Sequence, residues 1–180
     1  KKKIIKINYG SMKRIILTVL LICSTVASAQ QYLTREARLS FDAGSPLEDI
    51  EAFTESGSAV FDASSGKIGV QVLMTSFQFK RALRQEHFNE NYVESEKFPK
   101  ASFRGVFADG AVKGALSIHG ITQEISVPAS LTQEDGNFVL VTSFEILLAD
   151  YGVKIPGAVA NKISNTASIQ VHATLKETTK

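Results

Sequence analysis

From Lys67 the chain alternates cleanly. Ile68, Val70, Val72 and Met74 fall on one side of an extended backbone and more polar residues on the other, the period-two pattern of a half-buried strand. The apolar phase then moves to Phe77 and Phe79. This predicts a bulge near Thr75 and Ser76, because one extra residue sends every later side chain to the opposite face. The same alternation recurs at Ala101, Phe103, Gly105 and Phe107, ended by the turn signal Asp109-Gly110. It returns at Val112, Leu116 and Ile118, at Ile125, Val127, Ala129 and Leu131, and at Phe138, Leu140, Phe144, Ile146 and Leu148. Ala167, Ile169, Val171, Ala173 and Leu175 carry it through a last strand. Upstream, residues 35–42 form a first extended stretch, and residues 50–56 and 59–62 a short, broken second one.

One segment departs from this period. Residues 80–87 are read as a single short helix, with Phe79, Leu83 and His87 spaced to share a face. Asn89, Asn91 and Pro99 then predict an ordered excursion without regular structure over the rest of residues 80–99. Strands joined by such short turns are most simply antiparallel neighbours. The expected fold class is therefore all-β, with about eight strands, each having one apolar face. An up-and-down barrel suits them because closure removes exposed edges, although a two-sheet sandwich satisfies the same pattern.

The first 29 residues read differently. Met12, taken as the initiator, is followed by Lys13 and Arg14, an apolar run over residues 15–26 and then Ala27-Ser28-Ala29. A basic start, a short apolar stretch and a small-x-small site make a secretory signal, and the run is shorter than the roughly 20 residues of a membrane span. Cleavage is expected after Ala29, with residues 1–11 an upstream extension and residues 30–180 a single domain that is periplasmic or secreted. Cys23 is the only cysteine and leaves with the signal, so the mature domain has no disulfide, thiolate metal site or cysteine nucleophile.

Removing the signal also changes the charge. The whole chain carries +2, but Lys1, Lys2, Lys3, Lys6, Lys13 and Arg14 precede the first acidic residue, Glu36. Twenty basic residues less these six leaves fourteen against eighteen acidic ones, a net charge of −4. An acidic exported domain does not suit nucleic acid, whose binding rests on neutralising phosphates. No stable membrane insertion is expected once the signal is removed.

Catalytic chemistry finds no foothold. No G-x-S-x-G elbow occurs, and Glu145 stands opposite the apolar phase of Phe144 and Ile146, facing water. His87, His119 and His172 are the only histidines, and no pair has the spacing of a zinc site. The expectation is a protein that is not an enzyme and carries no cofactor or metal. Two clusters remain. Lys80, Arg81, Arg84 and His87 could meet an anionic headgroup, or form a solvated face balanced by Glu86 and Glu90. Phe77, Phe79, Phe88, Tyr92, Phe98 and Phe103 crowd the excursion and its flanking strands, either as a plug or as the lining of an apolar site. Ala101, Gly105, Gly114, Ala129, Ala167 and Ala173 on the inner phases lean toward room inside.

Three segments are similar to the best-marked stretches of the YceI-like family: His87-Phe88-Asn89 through Gly105; Ile118-His119-Gly120 with Thr122 and Val127-Pro128; and Asp150-Tyr151-Gly152 with Ile155-Pro156. The resemblance spans most of the mature chain. It implies an eight-stranded antiparallel lipocalin-like barrel in the periplasm that binds a polyisoprenoid or fatty-acyl amphiphile along its axis. It implies mouth or lining positions at His87, Phe88, Asn89 and Tyr92, and lining positions at Phe103, Ile118 and Tyr151. Phe77, Phe79 and Phe144 complete the expected ligand-binding set, with Lys80, Arg81 and Arg84 as headgroup candidates. The weak region over residues 48–58 puts one wall of the barrel in question. The competing expectation is a filled barrel acting as an envelope structural or stress-related interaction module through its surface.

Overall fold

A computed structural model describes residues 30–178. Eight strands close into a ring in the order β1 (Gln31–Gly44), β9 (Ile163–Glu177), β8 (Asn137–Leu147), β7 (Ile121–Glu134), β6 (Ala111–Ile118), β5 (Lys100–Ala108), β3 (Lys67–Leu73) and β2 (Glu51–Asp62), which pairs back onto β1. Every pairing is antiparallel. A ninth strand, β4 (Gln78–Phe79), lies beyond the end of β3 on the same side of β2, pairing through Ala52 with Phe79 and Phe53 with Gln78. The ring is thus the barrel and not the sandwich, and the alternation in sequence becomes an inner apolar face and an outer polar one.

The second strand is unbroken, contrary to the sequence expectation. Glu51–Asp62 runs as one element along β1. What disguised it is Gly57, which interrupts the apolar pattern where β1 is itself irregular, its register shifting on either side of Ala37. The two backbones approach so closely there that a Cβ on Gly57 would stand 2.8 Å from the Ala37 carbonyl oxygen and 2.2 Å from a Leu39 methyl. The gap in the pattern marks tight strand contact and not an end.

The phase change at Thr75 and Ser76 is real, but it is not a bulge. Met74–Ser76 forms a 3₁₀ turn that stops β3 and starts the chain toward β4. Ser76 Oγ donates to the Leu73 carbonyl at 2.7 Å and accepts from the buried Thr54 hydroxyl at 3.0 Å, fixing the turn against β2. The helix α1 (Ala82–His87) is shorter than residues 80–87, and the path continues as a π-helical turn over Phe88–Tyr92. Asn89 therefore does not end helical structure. Its side-chain amide donates to the Gln85 carbonyl at 2.8 Å, four residues back, and holds the turn together.

The two ends of the barrel differ. At one end lie the short turns at 63–66, 109–110 and 135–136, and there the inside is packed solid. Tyr32 and Phe61 both contact Phe138, with ring centroids 4.6 and 5.0 Å apart, over fully buried Leu175 and Ala173. At the other end lie all the longer connections: 45–50, 74–99 and 148–162. The core is a plug at the base.

The turn after β2 is fastened by Asp62, whose carboxylate accepts from the Ser64 hydroxyl at 2.6 Å and from the Ser64 amide at 2.9 Å. These hydrogen bonds, with those of Ser65, lower the Asp62 carboxyl from 3.8 to about 2. A depressed folded value means stabilisation that is whole above the unfolded value and lost as pH falls through the folded one. Asp62→Ala is therefore expected to lower the melting temperature at neutral pH. The gap to the wild type should close between about pH 4 and about pH 2, as thermal denaturation across that range would show.

Candidate functional site

Above the plug the barrel is hollow. The cavity has a volume of about 440 Å³ and is walled by inner-face residues of β1, β3 and β5–β9, among them Val70, Ile125, Val127, Ile146 and Ile169. These five side chains point inward and pack against the buried core, yet are only half-buried, because they also border the cavity. A lumen of this kind is what the filled-barrel expectation lacks. The small inner residues account for only part of it. Ala101 and Ala167 line the cavity, but a Cβ on Gly105 would stand 2.7 Å from the Phe103 ring, so Gly105 makes room for that ring.

The mouth is built by β4, α1 and the π-helical turn. Phe77, Phe79 and Phe88 gather with Phe41 of β1, whose ring stacks on Phe88 at 5.2 Å and meets Phe77 edge-on at 5.3 Å. Contacts of this geometry add to area burial and fix the ring positions. Leu83, exposed at the rim, and His87 border the opening from one face of the helix, as their spacing predicts, whereas Phe79 borders it from β4 and not from the helix. Tyr92, Phe103, Ile118, Phe144 and Tyr151 also border the cavity. Burial, reinforced by the Asp150 carboxylate, pushes the Tyr151 phenol above its ordinary value, so the ring presents a neutral surface.

Two of the expected residues lie elsewhere. Asn89 is turned away from the lumen by its bond to Gln85, and Lys80 pairs outside with Asp49 at 2.8 Å and Glu51 at 3.3 Å. Arg81, Arg84 and His87 border the mouth. Glu86 and Glu90 do not balance them. They line a second hollow on the opposite side of the helix with Glu94 and Glu96, and no described ion pair joins them to the helix cations. Arg84 reaches instead to the Glu48 carboxylate and the Asp49 carbonyl. Sequence reading missed Phe41, Glu48 and Lys162. Only Phe41 left a usable signal, its alternation with Leu39 and Ala37 on the inner face of β1.

A second fastening holds the excursion to the barrel. His119, in the turn between β6 and β7, donates from Nδ1 to the Tyr151 carbonyl at 3.0 Å, since a carbonyl only accepts. Its Nε2 faces the Glu94 carboxylate at 3.1 Å, and the Phe98 ring packs against the imidazole with centroids 4.7 Å apart. One side chain thus ties three chain segments at the mouth end. Glu94 also pairs with Lys97, and these hydrogen bonds, Lys97 first and His119 second, hold its carboxyl below the ordinary 4.5. The stabilisation is whole above that value and lost as pH falls through the depressed one. In Glu94→Gln, amide exchange over residues 94–98 is expected to be faster than in the wild type at neutral pH, the two converging only as pH falls through the depressed Glu94 value, below 4.5.

The remaining chemistry is sparse. Glu145 and His172 face water, and among the described residues no group of His, Cys, Asp and Glu is arranged to hold a metal ion. No described helix is long and apolar enough to cross a membrane.

A closed antiparallel ring, plugged at its base and hollow above, defines a lipocalin-like barrel. The chain belongs to the YceI-like family: residues 34–175 match the YceI-like domain. No curated protein matches it in sequence. Among solved structures it is similar to a polyisoprenoid-binding domain from Saccharophagus degradans implicated in plant cell wall breakdown, at 14% identity and a TM-score of 0.71 over 84% of this chain and 100% of the other. It is also similar to BcnA of Burkholderia cenocepacia, at 16% identity and a TM-score of 0.67 over 77% of this chain and 95% of that one. The YceI protein of Campylobacter jejuni matches at 18% identity and a TM-score of 0.51, over 67% of this chain and 82% of the other. At these identities the likeness is one of fold.

Proposed function

We propose that the protein is a non-enzymatic carrier of a single-chain apolar amphiphile, held tail-down in the lumen. The observation that carries this reading is the apolar cavity of about 440 Å³ above the plug. It has room for many water-sized groups, and so for a hydrocarbon tail. Burying such a tail is worth about 0.8 kcal/mol per methylene, enough for tight binding without any polar contact. The Saccharophagus relative named for polyisoprenoid binding supports the ligand type in general. The signal-like residues 12–29 lie outside the described residues and support a periplasmic or secreted carrier that begins at Gln30.

Native mass spectrometry of the protein purified from its producing cells, with solvent extraction of the same sample, is the test. The expected result is a chain starting at Gln30 that retains one lipid-sized adduct. A protein with no adduct that also fails to bind any member of a C8 to C20 acyl series would overturn the carrier reading.

A further inference from the structure

The cavity is apolar along its walls and charged only at its rim. Besides the phenols of Tyr92 and Tyr151, its ionisable lining consists of Arg81, Arg84 and Lys162, one carboxylate, Glu48, and His87. Three fixed cations therefore face one acid across the opening of a greasy tube.

Their arrangement is not that of a balanced surface. Glu48 is engaged by Arg84, both of them largely shielded from water. Lys162, from the loop before β9, comes only to 3.9 Å of the other carboxylate oxygen. Arg81 is exposed and has no ion-pair partner among the described residues. The acids that could neutralise the mouth are committed or turned away. Asp49 and Glu51 hold Lys80 outside, and Glu86 and Glu90 lie on the far side of the helix. The helix is thus sorted into a cationic face over the opening and an acidic face behind it.

We infer that the amphiphile carries an anionic oxygen head, a carboxylate or a phosphate monoester, seated at the mouth on Arg81 and Lys162 with Arg84 behind them. Guanidinium forks bond such groups in bidentate fashion, and they do so most strongly beside an apolar wall that excludes water. A tail in the lumen brings its head to this rim with no further reach. Glu48 competes with the head for Arg84 and Lys162 and sets how strongly the site prefers anions. This inference rests on the carrier reading for the tail but is separable from it, because head and tail are tested by different compounds.

The test measures binding of tetradecanoate, monotetradecyl phosphate and tetradecanol by displacement of a fluorescent fatty-acid probe, all below micelle-forming concentration. The two anions are expected to bind at least about tenfold more tightly than the alcohol. Arg81→Gln with Lys162→Gln should erase that preference and leave tetradecanol unchanged. Both residues are exposed enough that the fold is retained, and circular dichroism checks it. Glu48→Gln should widen the preference. The stronger of the two anions identifies the head as carboxylate or phosphate. Equal binding of alcohol and anions by the wild type, or equal weakening of all three compounds in the double variant, overturns the inference and leaves the carrier intact. Failure of all three to bind overturns both.

Discussion

Val127→Trp is expected to weaken binding of a fourteen-carbon tail more than about a hundredfold while the barrel stays folded. Val127 lies near the middle of β7, paired with Val112 of β6. It packs against the buried core but also borders the cavity, so much of the usual cost of overfilling a core is avoided by a larger ring, which can extend into the cavity. It displaces tail atoms instead. Excluding about four methylenes at about 0.8 kcal/mol each removes roughly 3 kcal/mol of binding, or more than a hundredfold in affinity. Calorimetric titration with tetradecanoate reads the loss, and the far-ultraviolet circular dichroism and melting temperature should stay near those of the wild type. Unchanged affinity would mean that the tail lies somewhere other than the lumen.

Leu175→Ala should do the reverse, damaging stability and sparing binding. Leu175 is fully buried in the base, paired with Phe138 and away from the cavity lining. Truncating such a leucine costs about 3–5 kcal/mol, because the lost burial is compounded by the void left behind. For a domain of this length that is a fall of about 10 °C in melting temperature. Tetradecanoate affinity measured well below the new midpoint should change by less than about twofold. Together the two substitutions separate a half of the barrel that holds the fold from a half that holds the guest.

Legibility in the sequence followed the range of the interactions. Strand alternation is local, so the inner faces of β3 and β5–β9 could be read residue by residue, and Glu145 and His172 could be placed outside. The helix face shared by Leu83 and His87 was equally visible, although Phe79 joins it from β4 and not from the helix. β2 was misread because the glycine that breaks its pattern answers to a neighbouring strand's backbone. The turn over Phe88–Tyr92 was hidden by Asn89 and Asn91; such side chains normally compete with the helix, but that of Asn89 here sustains it. The charges at the mouth were out of reach in a different way. Glu48 and Lys162 come from separate loops with no periodicity, and the fold alone brings them to Arg84. Hollowness was the least legible property, since the same apolar alternation serves a packed interior and an empty one.

The strand count has a practical corollary. The amide of Thr178 donates to the carbonyl of Gln31 at 2.9 Å, so the first and last strands finish side by side at the plugged base. A polymer linker, affinity handle or solid support coupled beside Gln31 or Thr178 would grip the molecule by its foot. Every immobilised copy would then hold its aperture outward like a cup on a table, free to load and unload.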